Sequence, residues 1–295
     1  MKIIVTGSES FVGKELIAQC IKEGVEVFGF DLAKTSDLQY DFKKGDITDP
    51  NIGDIFPEGA DAIVHLAALS RDQDCAGKAY DCFRVNVLGT LNLMRAAKAK
   101  SAKQFIFSSS EWVYEKFVGD EEKDEESLID IAGHTSEYAL SKLVSEANFR
   151  EEYKRGNFMP VTILRFAIVY GPREKEWSAL ESVASDVKKN DTVTLMRSRK
   201  SGRRFVHVLD IARGIRMAFG RTDFQIINLS ADTVITMGDV IRESEKFFNK
   251  KVEIVESKPD VVNVRNLSNR KAKELLGWTP QIDLAAGLKT IEPYL

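Results

Sequence analysis

Cysteine and histidine are scarce in this sequence of 295 residues, which contains only three of each. The cysteines, Cys20, Cys75 and Cys82, are odd in number and show no spacing typical of metal ligands. With so little histidine as well, a structural zinc site is not expected, and we predict no metal. A chain of this length buries enough apolar surface to fold without covalent crosslinks, so a disulfide framework is not expected either.

Long hydrophobic runs and a strong charge of one sign are also missing. No apolar run approaches the ~20 residues of a membrane span. The apolar run at the start of the sequence is too short for a secretory signal. The 42 basic and 45 acidic residues leave a formal net charge of −3, which argues against a general nucleic-acid-binding surface. We therefore expect a cytoplasmic protein without a membrane or nucleic-acid partner.

Short apolar segments alternate with helical patterns through the first half of the sequence. Amphipathic helices are predicted at Tyr80–Lys100 and Ser136–Arg155. Strands that are apolar throughout and joined by helices are typical of a buried parallel sheet. The fold class is therefore α/β, a doubly wound parallel sheet of the Rossmann type with a smaller, discontinuous α/β lobe. The predicted strands of the first half are Lys2–Thr6, Val25–Phe30, Ala62–Leu66, Gln104–Ser108 and Val161–Val169.

The pattern loosens after about Tyr170, where Gly171-Pro172 interrupts the chain. We assign residues 1–167 with 205–232 to the larger domain and residues 168–204 with 233–295 to the smaller lobe. The acid-rich stretch Gly119–Asp130 is predicted to be a solvated loop. The later predicted elements are helices at Ser178–Lys189, Val208–Phe219, Met237–Phe248 and Asn269–Leu276 and a strand at Phe224–Leu229.

The segment Thr6–Gly13 lies between the first strand and the first helix, where a dinucleotide-binding loop requires it. Gly7 allows a tight turn, and Gly13 allows close packing of the helix, whose N-terminus would face a pyrophosphate. Ser10 replaces the middle glycine of the usual pattern and is able to cap the helix. A loop with two glycines is equally typical of a plain strand–helix connection.

Asp31 favours the cofactor-binding interpretation of this loop. It ends the second predicted strand, 18 residues after Gly13, where a carboxylate accepts hydrogen bonds from the adenosine ribose. A carboxylate at this position repels a 2′-phosphate. The larger domain is therefore predicted to bind NAD rather than NADP.

Tyr138 and Lys142 are four residues apart at the start of a predicted helix, which places both on one face. A free phenol has a pKa of ~10 and is a poor base at neutral pH. A neighbouring ammonium and an oxidised nicotinamide ring favour the phenolate, which takes a proton from an alcohol as hydride leaves its carbon. The same spacing also occurs by chance on helix surfaces.

In these features the sequence resembles the extended short-chain dehydrogenase/reductase family. Its closest resemblance is to the NAD-dependent nucleotide-sugar epimerase/dehydratase branch, of the UDP-glucose 4-epimerase type. The matching motifs follow in order through nearly the whole chain. They are Thr6–Gly13, Asp31, Gly45–Ile47, His65–Ala68, Asn86–Thr90, Phe107–Tyr114, Tyr138–Lys142, Leu164–Arg173, Arg203–Val208 and Leu276–Pro280.

The resemblance implies roles for individual residues. Tyr138 is the catalytic base, Lys142 lowers its pKa and holds the nicotinamide ribose, and Ser110 orients the substrate hydroxyl. The resemblance also implies a homodimer formed through the helices at Tyr80–Lys100 and Ser136–Arg155. Implied cofactor contacts are Gly7, Ser10, Phe11, Val12, Gly13, Asp31, Asp46, Ile47, Leu66, Ala67, Ala68, Asn86, Ser108, Tyr138 and Lys142; implied substrate contacts are Ser109, Ser110, Glu111 and Arg203.

Arg203 belongs to a basic stretch, Arg197–Arg204, with five cations in eight residues. Guanidinium groups suit the diphosphate of a nucleotide sugar, which the resemblance makes the expected substrate. For the other cations of this stretch, a solvated loop is the preferred interpretation.

The sequence departs from the family pattern in the segment that follows Ser110. Family 4,6-dehydratases place a glutamate base where Trp112 stands, and Ile168 replaces an asparagine that touches substrate in many members. Glu111 is an acid, a substrate contact or a polar loop residue. We therefore predict an NAD-dependent nucleotide-sugar 4-epimerase. A dehydratase, a dehydrogenase or a 4-keto-sugar reductase on the same scaffold is the alternative, and a non-catalytic dinucleotide-binding sensor is a remote one.

Overall fold

The computed structural model describes residues 1–119 and 121–295. The strands are β1 (Lys2–Thr6), β2 (Glu26–Asp31), β3 (Asp41–Lys44), β4 (Ala62–His65), β5 (Phe105–Ser110), β6 (Glu122–Lys123), β7 (Val161–Phe166), β8 (Val169–Tyr170), β9 (Thr192–Leu195), β10 (Gly202–Arg203), β11 (Val206–His207), β12 (Phe224–Leu229), β13 (Ile235–Thr236), β14 (Glu253–Glu256) and β15 (Val264–Leu267). The helices are α1 (Phe11–Lys22), α2 (Asp72–Cys75), α3 (Ala79–Phe83), α4 (Gly89–Ala99), α5 (Glu137–Lys154), α6 (Ala179–Lys189), α7 (Val208–Met217), α8 (Met237–Phe248), α9 (Arg270–Leu276) and α10 (Leu284–Ile291).

Seven strands form one sheet in the order β12-β7-β5-β4-β1-β2-β3. The strand β1 lies inside this sheet and pairs in parallel with both β2 and β4. Its side chains from Ile3 to Thr6 are all buried, because helices cover both faces of a parallel sheet. The predicted α/β fold with a doubly wound parallel sheet is confirmed.

The helix predicted at Tyr80–Lys100 consists of three consecutive segments. The helix α3 is followed by a π-helical turn at Arg84–Leu88, and α4 continues from Gly89. A π-turn inserts an extra residue into the helical repeat and changes which side chains face inward. Here it includes Asn86, which is buried.

The chain divides into two compact units, each made of separate segments. The first unit comprises Met1–Glu115, Leu128–Arg165 and Ala212–Ile227, and the second comprises Lys116–Ser127, Phe166–Ile211 and Asn228–Leu295. The structure therefore differs from the predicted division, because residues 116–127, 166–167, 205–211 and 228–232 belong to the second unit.

The second unit contains a small sheet in the order β13-β10-β15-β6. The strand β6 lies within the acid-rich stretch that was predicted to be a solvated loop, and it pairs in parallel with β15. A carboxylate oxygen of Glu125 accepts the backbone N–H of Asn228 at 2.6 Å. The prediction of a purely solvated loop was therefore wrong for this part of Gly119–Asp130, while Asp120 lies outside the described residues. No helix in the described ranges is long and apolar enough to cross a membrane.

Candidate functional site

The loop between β1 and α1 depends on its two glycines. Gly7 has a φ of +68°, and a side chain there would put its Cβ 2.6 Å from the backbone nitrogen of Ala67. A Cβ on Gly13 would lie 2.2 Å from the carbonyl oxygen of Gly7. The glycines therefore allow the loop, the start of α1 and the segment after β4 to approach one another closely.

Ser10 takes the place of a glycine in this loop without disrupting it. It is the N-cap of α1, and its hydroxyl accepts the backbone N–H of Gly13 at 3.1 Å. Phe11 and Val12 form the first turn of the helix and are half-buried. A helix N-terminus directly after a parallel strand is a suitable binding site for a pyrophosphate, so this loop fits a dinucleotide.

Asp31 is the last residue of β2. The strand runs parallel to β1, so Asp31 lies at the carboxyl ends of the strands, where the loop after β1 also begins. Its carboxylate accepts the backbone N–H groups of Glu9 at 3.0 Å and of Leu32 at 2.7 Å. These are different oxygens, and an ionised carboxylate has about four acceptor sites. Asp31 therefore keeps the capacity to accept ribose hydroxyls while it fixes the start of the loop.

The remaining predicted cofactor residues differ in how far they are exposed. Asp46 is exposed and accepts the backbone N–H of Thr48 at 2.8 Å, whereas Ile47 is buried in the core. Leu66 is also buried. Ala67 and Ala68 are half-buried, so their small side chains leave surface open beside the loop at Gly7.

Both the nitrogen and the oxygen of the Asn86 side-chain amide form hydrogen bonds within the protein. Its nitrogen donates to the carbonyl of Leu69 at 3.0 Å and to the hydroxyl of Ser141 at 2.9 Å, and its oxygen accepts the N–H of Leu69 at 2.8 Å. The residue was predicted to bind the cofactor. The structure gives its side chain a positioning role, because it joins the segment after β4 to α5.

The three predicted catalytic residues all belong to the first unit. The Ser110 hydroxyl, at the end of β5, lowers the pKa of the phenol of Tyr138 on α5 and accepts the backbone N–H of Trp112 at 3.3 Å. The ammonium of Lys142 donates to the carbonyl oxygen of Ser108 at 2.8 Å. Both helix residues are buried, since Tyr138 is only 7% exposed and Lys142 only 3%.

Burial controls the protonation of both α5 residues. It raises the pKa of Tyr138 to about 12, although the Ser110 hydroxyl acts in the opposite direction. It lowers the pKa of Lys142 to about 8, opposed by Cys82, Cys75 and Glu146. The resemblance implied a lowered pKa for Tyr138, whereas the protein alone holds it as a neutral phenol because its desolvation dominates.

The serines of β5 alternate between the two faces of the strand, as side chains of a strand must. The hydroxyl of Ser109 donates to the carboxylate of Glu146 at 2.5 Å, and Glu146 forms a buried ion pair with Arg165 at 2.6 Å. The Ser108 hydroxyl donates to the carbonyl of His65 at 2.8 Å. Ser109 was predicted to touch substrate, but its hydroxyl is bound within the protein.

Glu111 and Trp112 follow β5 in a single 3₁₀ turn. Glu111 is completely buried, which does not fit the interpretation of a polar loop residue. The Trp112 ring is half-buried and packs against a small cluster that contains Tyr138. An indole ring thus packs against the cluster that contains the Tyr138 phenol.

Two of the cysteines, for which the sequence predicts neither a metal nor a disulfide, lie in a cluster with Tyr138. Cys75, at the end of α2, and Cys82, on α3, are fully buried and form the cluster that packs on the phenol. Both raise the pKa of Tyr138. No sequence signal indicates this contact, because the two cysteines approach Tyr138 only through the packing of three helices.

In the second unit, Arg203 on β10 lies opposite Arg265 on the parallel strand β15. Arg265 was not predicted as a site residue. It lies 11 residues before the Leu276–Pro280 motif and belongs to no motif itself. The neighbouring Arg204 is bound to Asn266 at 2.7 Å and to Glu122 at 2.9 Å. Arg204 is therefore a structural residue rather than a solvated one, which corrects the preferred interpretation of this cation.

Comparison with known proteins places these features in a family. The chain is 25% identical over 307 residues to UDP-glucuronic acid decarboxylase 5 of Arabidopsis thaliana, covering 99% of this chain and 88% of that protein. Its structure matches a UDP-glucose 4-epimerase of Thermotoga maritima solved with UDP-glucose, with a TM-score of 0.88, 26% identity and coverage of 100% and 98%.

A second solved structure is a mutant UDP-glucuronic acid 4-epimerase of Bacillus cereus in complex with UDP-4-deoxy-4-fluoroglucuronic acid and NAD. It matches with a TM-score of 0.85 and 25% identity, covering 100% of this chain and 98% of that one. The model of one family matches residues 3–230. The chain belongs to the NAD dependent epimerase/dehydratase family.

Proposed function

We propose that this protein is a nucleotide-sugar 4-epimerase that uses NAD. The observation that carries the proposal is the hydrogen bond from the ammonium of Lys142 to the carbonyl of Ser108 at 2.8 Å. It joins the helix that carries the buried phenol of Tyr138 to the strand that ends at Ser110, whose hydroxyl lowers the pKa of that phenol. This arrangement suits the removal of a proton from a secondary alcohol and its later return.

Each residue has a distinct part in this chemistry. When bound, NAD supplies the acceptor of a hydride from C4 and the donor that returns it. Ser110 holds the C4 hydroxyl beside Tyr138, and Tyr138 takes the hydroxyl proton. Because burial raises the pKa of Tyr138 to about 12, the phenolate needs the positive charge of Lys142 and of the oxidised nicotinamide ring. Tyr138 then returns the proton when the ketone is reduced on its other face.

Trp112 supports epimerisation over 4,6-dehydration. An indole ring has no group that abstracts a proton from C5, and a dehydratase requires such a base. The half-buried ring instead packs against the cluster formed by Cys75, Cys82 and Tyr138. A dehydrogenase or a reductase would also release an oxidised or reduced cofactor at each turnover, which the assay below detects.

In the second unit, Arg203 is the proposed contact for the diphosphate, and we add Arg265 because the two occupy paired positions on β10 and β15. Two guanidinium groups on adjacent strands match the two charges of a diphosphate. The relatives named above act on or bind UDP-sugars, so UDP-sugars are the first substrates to test.

The test uses the purified protein without added cofactor, incubated separately with UDP-, dTDP-, GDP- and CDP-hexoses and UDP-glucuronic acid. Proton NMR follows the anomeric signals. The expected result is a C4 epimer that appears without net oxidation or reduction. A product that has lost water or carbon dioxide, or a reaction that starts only with added NADH or NADPH, would overturn the proposal in favour of another reaction of the family.

A further inference from the structure

Glu9, in the loop between β1 and α1, has a carboxylate that is almost completely enclosed. Its side chain is only 3% exposed, although it lies in a loop between a strand and a helix. The backbone N–H of Glu9 donates to Asp31 at 3.0 Å. The residue that carries the buried carboxylate is therefore bound, through its backbone, to the residue that is expected to bind the adenosine ribose.

The donors that surround this carboxylate all come from the segment after β2. The backbone N–H groups of Thr35 and Ser36 donate to one oxygen at 2.9 and 2.6 Å, and the hydroxyls of the same two residues donate at 2.9 Å each. The ammonium of Lys34 lies 3.4 Å away, and the phenol of Tyr40 donates a short hydrogen bond.

This set of donors has the chemistry of a phosphate monoester site. It combines two adjacent backbone N–H groups, two hydroxyls, a phenol and an ammonium, and a carboxylate has only about four acceptor sites to satisfy them. These donors keep Glu9 ionised, since the hydrogen bonds from Tyr40, Thr35 and Ser36 outweigh burial and lower its pKa to about 2. The site therefore carries an internal anion at neutral pH.

We propose that Glu9 selects the cofactor by filling, with its own carboxylate, the anion site that would otherwise receive the 2′-phosphate of NADP. In dinucleotide-binding folds the residues after the second strand distinguish a ribose hydroxyl from a 2′-phosphate. Here that segment offers its donors to Glu9. A second anion at the same donors would be repelled by the enclosed carboxylate and would find them already bound.

Asp31 alone does not account for such selection. Both of its oxygens accept backbone N–H groups, which spread its negative charge, and it makes no use of the donors on Thr35, Ser36 and Lys34. Removing Asp31 leaves the anion site filled, whereas removing the Glu9 side chain empties it. The two acids therefore have separable effects.

The experiment measures dissociation constants by calorimetry for NAD⁺ and NADP⁺, and for ADP and adenosine 2′,5′-bisphosphate as probes of the adenosine end. Glu9→Ala should raise the affinity for NADP⁺ relative to NAD⁺ at least tenfold. The affinity for adenosine 2′,5′-bisphosphate relative to ADP should rise as well. Glu9→Gln, which keeps the shape and removes the charge, should give a smaller gain and serves if the alanine variant does not fold. Adding Lys34→Ala to either variant should reduce the gain.

Asp37→Asn is the matched control, because it removes one exposed acid from the same segment and leaves the donors of Glu9 in place. It should change the ratio less than twofold. An unchanged ratio in folded Glu9→Ala and Glu9→Gln, or a full shift in Asp31→Asn alone, would overturn the inference. The inference rests on the proposed cofactor site, so a wild-type protein that binds neither dinucleotide would overturn both. The dinucleotide affinities are measured without a sugar substrate. They therefore test the inference even if the epimerase assay fails.

Discussion

At the scale of single residues, the proposed chemistry depends on the phenol of Tyr138. Replacing it with phenylalanine keeps the ring that packs with Cys75 and Cys82 but removes the proton-transfer group. We expect Tyr138→Phe to lose about 10²–10⁴ in turnover, the usual contribution of general acid–base catalysis. The affinity for NAD⁺ should change less than threefold. Steady-state kinetics and calorimetry measure both values.

Tyr80→Phe provides the control for this substitution, since Tyr80 is 80% exposed and far in sequence from the motif. It should leave turnover and affinity unchanged. Turnover that persists in Tyr138→Phe would show that another group is the base.

The buried ammonium of Lys142 gives a second prediction at this scale. Its pKa is about 8 in the folded protein against 10.5 as the ordinary value. Below pH 8, Lys142 is protonated in both the folded and the unfolded protein. Between pH 8 and 10.5 the unfolded state binds a proton that the folded state has lost, so the free energy of unfolding rises with pH, by up to about 1.4 kcal/mol per unit.

Lys142→Met removes this contribution while it keeps an unbranched side chain of similar length. Relative to the variant, the wild-type protein should therefore gain stability between pH 8 and pH 10, as measured by urea unfolding at fixed ionic strength. Parallel stability curves for the two proteins would contradict the assignment of a lowered pKa to this lysine.

At the scale of elements, the contact between α5 and β7 depends on one buried ion pair. Glu146 accepts two hydrogen bonds from the guanidinium of Arg165 and one from Ser109, and Arg165 also donates to Tyr114 at 2.8 Å. Removing one partner leaves an isolated buried charge, so Glu146→Leu should lower the free energy of unfolding by about 3–5 kcal/mol.

The double variant Glu146→Leu/Arg165→Leu should recover part of this loss, because apolar residues often replace a buried ion pair with little cost. Urea unfolding of the wild type, the two single variants and the double variant measures the coupling. Losses that simply add would show that the pair is not coupled, and would assign the cost to packing alone.

Elements with strong local patterns were predictable from the sequence. Phe224–Leu229 and Met237–Phe248 have the predicted bounds, because a continuous apolar strand and a capped amphipathic helix are specified by their own residues. The strand β6 was not predictable. It has two residues, and it exists because it pairs with β15 about 140 residues later in the chain.

The same distinction applies to the candidate site. The spacing of Tyr138 and Lys142 on one helix was sufficient to predict that they share one face, and the resemblance had already implied Ser110, whose hydroxyl lowers the pKa of Tyr138 in the structure. The orientation of Ser109 towards Glu146 follows from strand alternation, which a match of motifs along the sequence does not contain. The contact of Cys75 and Cys82 with Tyr138 and the burial of Glu9 depend on tertiary packing, so no local pattern reports them.

At the scale of the whole molecule, the resemblance predicts a homodimer formed through the helices around α4 and α5. These helices expose three aliphatic side chains, Leu88 at 55%, Leu91 at 37% and Val144 at 37%, which fits a surface that another subunit covers. Sedimentation equilibrium should give twice the chain mass of 33.1 kDa. Leu91→Asp should shift the protein to monomer, and a wild-type monomer at all concentrations would contradict the prediction.

The discontinuity of the first unit has a consequence during protein synthesis. The strand β12 is the outer neighbour of β7 in the main sheet, yet about 60 residues separate them in the chain, most of them in the second unit. At about 5–20 residues per second, the ribosome needs roughly 3–12 s to make this segment. For that time the nascent chain presents an open edge at β7, which is the interval in which a chaperone would protect it from aggregation.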